Sequence, residues 1–461
     1  MPPSRHGISF NREYEGGDCM VTQNQEMPMT PLERVDEPDM GTGLIDPTRY
    51  TDPEFAKLEW ERMWTKTWNI AGGICDIPEV GDYFTHTLGR ESFIFIRTDE
   101  DEIKGYYNIC PHRGSRLRPS VGLGHAEQLQ CPFHLWTFDI EGQLNTVPDR
   151  QHFVNGIPED KQQLAEVWVD TWGPFVFFNM DDEAESLTDF LGVIPSHLDP
   201  YHFEEYHLVQ DYQLIWDCNW KFAVDQFAEI YHLPALHPQL IEWWDTAGTP
   251  LDVYDGGRHS RQLIRQGYPD GGAWTDDMAR RHGYTDKEMI TDSQWQQLAA
   301  VGIEQDEFEG GVNDVRPAII EARRDLYEAM GVDVSALHGE QLIDDYHYMI
   351  FPNITLNIGG TSLTYFRARP HPTNPDQCLW DYQTYVRLPE GTPIPPRPAT
   401  VRGTAHDVEV FEALGQDMAQ AQIVQESYHS QGFSGILLNS EERRVRAMHY
   451  ALEQYLFGPD R

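Results

Sequence analysis

Two short segments constrain this chain more than any other: Cys110-Pro111-His112 and, after eighteen intervening residues, Cys131-Pro132-Phe133-His134. Each places a thiol and an imidazole on a few residues of loop. Two such loops, carried at the tips of neighbouring hairpins, can close on one metal centre. Two thiolates and two imidazoles suit tetrahedral zinc, or a [2Fe–2S] cluster with both thiolates on one iron and both imidazoles on the other. Zinc loops usually pair Cys with Cys and His with His. Here each loop carries one of each, as a cluster demands when each loop must reach both irons. The spacing therefore reads as a Rieske-type cluster, with a structural zinc knuckle as the alternative. Neutral imidazoles in place of two thiolates raise the potential to about −150 to +300 mV, against about −400 mV for plant-type clusters. Gly114 and Gly124, with the prolines after Cys110 and Cys131, fit tight loops whose N–H groups can approach the sulfurs.

A second constellation lies in Asn219 to Pro238. Read as one helix to about Leu233, it has Trp220, Val224, Phe227 and Tyr231 as an apolar stripe. A second row holds Phe222, Asp225, Glu229 and His232, and two carboxylates with an imidazole are odd for simple packing. Pro234 ends the helix, and His237 lies just beyond it. Two histidines five apart across a helix end can turn toward one point. A mononuclear Fe(II) site needs two His and one carboxylate on one face of the metal. Asp417 is the candidate carboxylate, set within the stripe of Leu414, Met418 and Ala421. An inward carboxylate needs a cation or metal to meet. The bland alternatives are two satisfied core histidines and a surface Asp417.

The rest of the chain reads as a frame for these two sites. Residues 1 to about 45 are polar, and a helix is expected from Asp52 to Trp68 after a Thr-Asp-Pro start signal. Short alternating segments then predict a small all-β region, including Tyr83–Leu88, Ser92–Ile96 and Val167–Met180. Residues 245–345 read as short helices and long loops. Strands return around Ile354–Ile358 and Trp380–Val386, and helices are expected near Ala405–His429 and after Ser440. The fold class is α+β, with three parts: an arm and helix at 1–66 packing with the catalytic domain, a cluster domain at 67–180, and a catalytic domain at 181–461.

Composition excludes other classes. Lys plus Arg number 34 and Asp plus Glu 75, a formal charge of −41, so neither nucleic acid nor an anionic membrane surface is an expected partner. The surface could instead steer a basic electron-transfer partner. Apolar runs such as Phe175–Phe178 are far shorter than the roughly 18 residues that span a bilayer. Met1–Phe10 lacks an apolar signal region, so a cytoplasmic location is expected. Six cysteines are too sparse for a disulfide scaffold. No G-x-G-x-x-G follows a strand, so a reductant such as NAD(P)H must be handled by another protein.

Taken together the motifs resemble the catalytic (α) subunits of Rieske non-haem iron oxygenases, the aromatic-ring-hydroxylating dioxygenases. The resemblance runs from about Asp46 to the C-terminus. It rests on Tyr50-Thr51-Asp52-Pro53, Gly81-Asp82-Tyr83, Asn108 to Gly114, Trp136 to Asp139, Asn219-Trp220-Lys221 and Asp417 to Gln425. It implies a Rieske domain followed by a helix-grip (START-like) domain with an antiparallel sheet. Cys110, His112, Cys131 and His134 would bind the [2Fe–2S] cluster, and His232, His237 and Asp417 the mononuclear Fe(II). It also implies a head-to-tail trimer, α3 or α3β3 with a small β subunit, in which cluster and iron of neighbouring chains work as a pair. Glu229 would be the bridge between their histidines, where many members carry Asp. Leu135 stands where a Gly often follows the last cluster histidine.

The chemistry is consistent with this. Oxygen activation at one Fe(II) needs two electrons, and a cluster can store the second. Glu229 can accept the His232 N–H and orient that ring. Asp225, Gln226 and Gln425 are candidates for tuning the site. The implied reaction is hydroxylation, foremost cis-dihydroxylation, of an aromatic or other apolar substrate, with electrons from an NAD(P)H-dependent reductase, directly or through a ferredoxin. The alternative within the class is a monooxygenase or demethylase acting on aromatic ethers, amines or quaternary ammonium compounds. A bare electron carrier or zinc-stabilised binding protein is opposed by length. Residues 238–350, with Trp243, Trp244, Trp274 and Tyr284, are expected to roof the substrate site.

Overall fold

Strict alternation sets the first sheet. In β2 (Asp82–Leu88) Phe84, His86 and Leu88 are buried while their neighbours are half-buried. β3 (Glu91–Asp99) is buried on both sides, and its alternate residues feed two cores. Phe93 and Phe95 join the large core of the chain, whereas Ile94 and Ile96 pack with Cys110, Cys131, Trp136 and Phe138. The computed structural model describes residues 37–241, 243–246, 249–267 and 286–458.

The seven-stranded sheet adds β1 (Asn69–Gly73), β4 (Glu102–Tyr107), β5 (Gly122–His125), β9 (Glu166–Trp172) and β10 (Phe175–Asn179), in the order β1-β10-β9-β4-β3-β2-β5. A three-stranded sheet, β6 (Gln128–Gln130), β7 (Thr137–Asp139) and β8 (Leu144–Thr146), sits beside it. The Cys110 loop follows β4 and the Cys131 loop joins β6 to β7.

The eight-stranded sheet runs β12-β13-β14-β15-β16-β17-β11-β18. Its strands are β11 (Tyr206–Trp216), β12 (Leu251–Tyr254), β13 (His259–Ile264), β14 (Asp345–Ile350), β15 (Ile354–Gly359), β16 (Ser362–Pro370), β17 (Cys378–Arg387) and β18 (Val401–Thr404). β12 and β13 lie in a stretch expected to be loops and short helices. The first four residues of β13, His259 to Gln262, are polar, and the whole strand is buried because tertiary neighbours cover both of its faces.

The helices are α1 (Thr48–Thr51), α2 (Pro53–Glu59), α3 (Leu187–Leu191), α4 (Ile194–Leu198), α5 (Trp220–Asp225), α6 (Leu233–Leu236), α7 (Asp292–Ala300), α8 (Val315–Ala329), α9 (Glu412–Tyr428) and α10 (Arg443–Phe457). Asp52 caps α2 by accepting from the Glu54 N–H, and Pro53 follows at the first helical position. Beyond it, Trp60–Trp64 forms a π turn that buries Met63 and Trp64 against the core containing Leu452 and Leu456. α9 starts later than the expected Ala405, because Thr404 and Asp407 close a turn on one another. Among the described residues no helix is long and apolar enough to cross a membrane.

Two buried polar features tie these parts together. Lys221 donates to Glu59 at 2.6 Å, both fully buried, and the Trp220 indole donates to the second Glu59 oxygen at 3.2 Å. Removing one member of such a pair strands a buried charge. Glu59→Ala is expected to lower unfolding free energy by about 3–5 kcal/mol in urea titrations; a loss under about 1 kcal/mol would contradict this. His259 donates Nε2–H to the Phe190 carbonyl at 2.6 Å, and its Nδ1 accepts from the Phe351 N–H. Burial pushes its pKa down to about 4. The unfolded chain therefore takes up the proton first. The stability His259 contributes is complete above about pH 6.5 and falls away as pH drops toward 4. Urea midpoints should decline over this window less steeply in His259→Asn than in the parent; equal slopes would exclude His259 as a source.

Candidate metal centres

The two Cys/His loops share one backbone design. The Cys110 N–H donates to the Ser115 carbonyl and the Cys131 N–H to the Trp136 carbonyl, five residues on in each case. Gly114 and Leu135, four residues on, donate back to the cysteine carbonyls at 3.0 Å each. Both sit at positive φ, 76° and 57°. This matching explains the Gly expected at 135: the turn needs a left-handed residue there. Leu135 bears a strain of about 1–2 kcal/mol, partly offset by the 0.4–1 kcal/mol that a non-glycine residue gains through the unfolded chain. Leu135→Gly should therefore raise the melting temperature by about one degree and leave the cluster absorption unchanged. A lower melting temperature would argue against the strain.

The loops bring their four polar groups together. Cys110 and Cys131 are buried, and the His112 and His134 ring centroids are 4.7 Å apart. Nδ1 of both rings is buried without a hydrogen-bond partner among the described residues, a costly state for a polar atom unless a ligand meets it. Burial pushes the Cys110 thiol up to about 11, and a metal is the natural way to hold such a group as thiolate. The His112 ring stacks flat on Trp136, centroids 4.6 Å apart, which fixes its orientation. The arrangement fits a cluster with thiolates on one side and imidazoles on the other.

The second constellation also converges, although its backbone differs from the expected single helix. Asn219 caps α5, its Oδ1 accepting from the Lys221 N–H at 3.0 Å, and the helix stops at Asp225. Phe227 leaves the helix to stack on Phe366, with ring centroids 4.6 Å apart. Glu229 then accepts from the His232 backbone N–H at 3.1 Å and from His232 Nδ1 at 2.5 Å. The expected apolar stripe is broken: Tyr231 is 59 % exposed. His237 Nδ1 donates to Gln416 at 2.7 Å. With both Nδ1 atoms engaged, both Nε2 atoms face Asp417 Oδ1, at 2.9 Å for His237 and 3.8 Å for His232. Candidate ligand atoms of the three residues all lie within 4.8 Å of one another. Burial disfavours charge on His237, but its bonds to Asp417 and Gln416 outweigh this and raise its pKa. Two imidazoles and one carboxylate converging on one point form a donor set for a divalent transition metal.

The remaining candidates have different surroundings. Asp225 accepts from the Tyr50 hydroxyl at 2.5 Å, and His449 Nε2 lies 2.7 Å from that hydroxyl. Gln226 has both amide atoms buried without a partner among the described residues. Gln425 bonds the Asn219 N–H, the Tyr50 carbonyl and Asp376, so it anchors the start of α5. Tyr50, His449 and Gln416 were not expected. Adjacency to Asp417 is the sequence signal for Gln416; Tyr50 opens one of the motifs of the resemblance, and nothing local marks His449. Trp274 and Tyr284 lie outside the described residues.

Two family models match, one for the Rieske [2Fe-2S] domain over residues 67–164 and one for the ring hydroxylating alpha subunit (catalytic domain) over residues 203–458. The chain belongs to the ring-hydroxylating α-subunit family. As a Rieske oxygenase α subunit it carries the domain for a [2Fe–2S] cluster and the catalytic domain of a family that binds mononuclear iron. It is similar to the glycine betaine monooxygenase oxygenase subunit of Chromohalobacter salexigens, 31% identical over 43% of this chain and 44% of that protein. It is also similar to the biphenyl 2,3-dioxygenase α subunit of Rhodococcus jostii, 32% identical over 42% and 43% respectively. The matched segments thus span less than half the length of these relatives. Among solved structures, the quaternary ammonium Rieske monooxygenase CntA aligns with a TM-score of 0.64 at 17% identity, covering 92% of this chain and 99% of that one. Naphthalene 1,2-dioxygenase from Rhodococcus sp. aligns at 0.62 and 17%, covering 91% and 95%. These two likenesses establish the fold: an all-β Rieske domain with an α+β catalytic domain.

Proposed function

We propose that this α subunit is the terminal component of an oxygenase that hydroxylates an organic substrate with O2 and electrons from a separate reductase. The observation that carries the reading is the convergence of His232, His237 and Asp417 in a chain that also buries a Cys2His2 set. When bound, the two iron centres supply electron storage and oxygen activation. In this reading Cys110, Cys131, His112 and His134 hold the cluster, and His232, His237 and Asp417 the iron. Glu229 and Gln416 fix the rings by accepting their Nδ1 protons, which turns each Nε2 inward. Glu229 serves as the bridge between subunits. Exposed Ile109, Phe133 and Leu135 around the cluster loops, and Tyr231 beside His232, supply apolar surface for a head-to-tail trimer. The cluster domain is assigned to residues 67–180, the catalytic domain to 181–461, and the enzyme to the cytoplasm.

The relatives support two reactions. The biphenyl dioxygenase favours cis-dihydroxylation of an aromatic ring. The betaine relative favours monooxygenation of a quaternary ammonium compound. Purified protein is expected to hold about three irons and two acid-labile sulfides per chain. Turnover of aromatic and trimethylammonium panels under ¹⁸O2, with a surrogate reductase or a reductase and ferredoxin, separates one-atom from two-atom incorporation. Zinc without sulfide would overturn the reading.

A further inference from the structure

The inner face of the large sheet has a polar character that the two metal centres leave unexplained. Strand register puts Gln262 of β13, His347 of β14 and Asn357 of β15 on one rung. Ser260 lies on the same face one rung to one side, and Ile264 with Asp345 one rung to the other. That face packs toward the iron-ligand segment, because Ile264 joins Ile230 and Leu233 in one buried cluster. Arg444, from the first turn of α10, reaches down onto it. Its Nε donates to Ser260 Oγ at 3.1 Å, its Nη1 to Gln262 Oε1 at 3.3 Å and its Nη2 to His347 Nδ1 at 2.9 Å.

Arg444 is fully buried, and all three partners are neutral groups. A buried guanidinium without a counter-charge in contact is expensive. Burial pushes its pKa down to about 9; Asp345 and Glu229 contribute only through space. Because His347 Nδ1 accepts from Arg444, its proton lies on Nε2, and that atom is buried with no partner among the described residues. One rung away, Asp345 accepts from Asn357 at 2.7 Å, while Asp345 Oδ1 and Asn357 Oδ1 are also buried without side-chain hydrogen-bond partners among the described residues. The wall is thus bipolar: a cation and a free N–H donor at one end, free acceptors at the other. A clamp holding α10 to the sheet would need the three Arg444 bonds, but not the free His347 donor.

We propose that Arg444 and His347 receive a carboxylate of the substrate, so that the molecule presented to the iron site is an organic acid rather than a neutral hydrocarbon. This rests on the oxygenase reading for the word substrate; the binding site itself does not. Asp345 and Asn357, as acceptors, set which way the acid lies by taking a hydroxyl or N–H from it. The field of Arg444 makes the donor end selective for a negative group over a neutral isostere.

Calorimetric titration of the whole purified protein, without reductant, tests this with three probes of like shape: benzoate, benzamide and benzyltrimethylammonium. Benzoate should bind about tenfold or more tighter than either of the others. Arg444→Met and His347→Leu should each abolish that preference, weakening benzoate by about tenfold or more and benzamide by less. If Arg444→Met does not fold by circular dichroism, His347→Leu carries the comparison alone. Equal affinities, no benzoate binding, preference for the cation, or variants that keep the benzoate preference would each overturn the proposal. The assay involves no turnover. Iron and sulfide content judges the oxygenase reading separately, and either can fail without the other.

Discussion

His232→Ala is expected to remove one iron from each chain, taking about three irons to about two, while sulfide content and the cluster's visible spectrum stay as they were. The physical case is the separateness of the two centres. The cluster loops hang from β4 and the β6–β7 hairpin, whereas His232 sits between α5 and α6 and meets Glu229, His237 and Asp417. Removing its imidazole leaves His237 and Asp417, too few donors to retain a divalent ion against water. Turnover should fall to background. The same experiment on Asp417→Ala should give the same iron loss, because its Oδ1 is the atom both Nε2 groups face. Full iron retention in both variants would remove these residues from the site.

Glu229→Gln is expected to lower turnover by about 10–100-fold with all iron in place. Glu229 touches no candidate ligand atom directly. It holds His232 Nδ1 at 2.5 Å and the His232 backbone N–H at 3.1 Å, so it sets ring angle and ligand basicity together. Glutamine can still accept one of these bonds, which protects the fold, but it brings no charge to strengthen the imidazole. Glu229→Asp should recover part of the rate, since the charge returns on a shorter arm. Rapid-mixing measurement of cluster oxidation by O2 should show the defect in the electron-transfer step, with substrate affinity little changed. A variant with parental cluster oxidation would limit Glu229 to local support of the loop.

The candidate metal sites were legible as candidates because their donors come in local pairs. A cysteine two or three residues from a histidine, or two histidines flanking Pro234, reports a shared point whatever the rest of the chain does. Asp417 was readable for a different reason: a carboxylate inside an apolar stripe is costly unless something meets it. The helix around Asp225 was misjudged because helical periodicity continued through Phe227 and Tyr231, while the stacking of Phe227 on Phe366 and the capping of His232 by Glu229 took the backbone another way. β12 and β13 were missed because burial of Arg261, Gln262 and His259 depends on groups far along the chain, not on local hydrophobicity.

Sequence alone therefore settled the fold class, the family and which side chains are candidates to hold metal, since each follows from short-range spacing and the chemistry of the donor atoms. Only the tertiary structure decided their surroundings. It set Gln416 against His237, Tyr50 and His449 against Asp225, and Arg444 against His347. Those contacts join residues 175 or more positions apart for the first two sets and 97 apart for the last. Their existence depends on how sheets and helices pack, and no local pattern encodes a distance between elements that meet only after the chain has closed on itself.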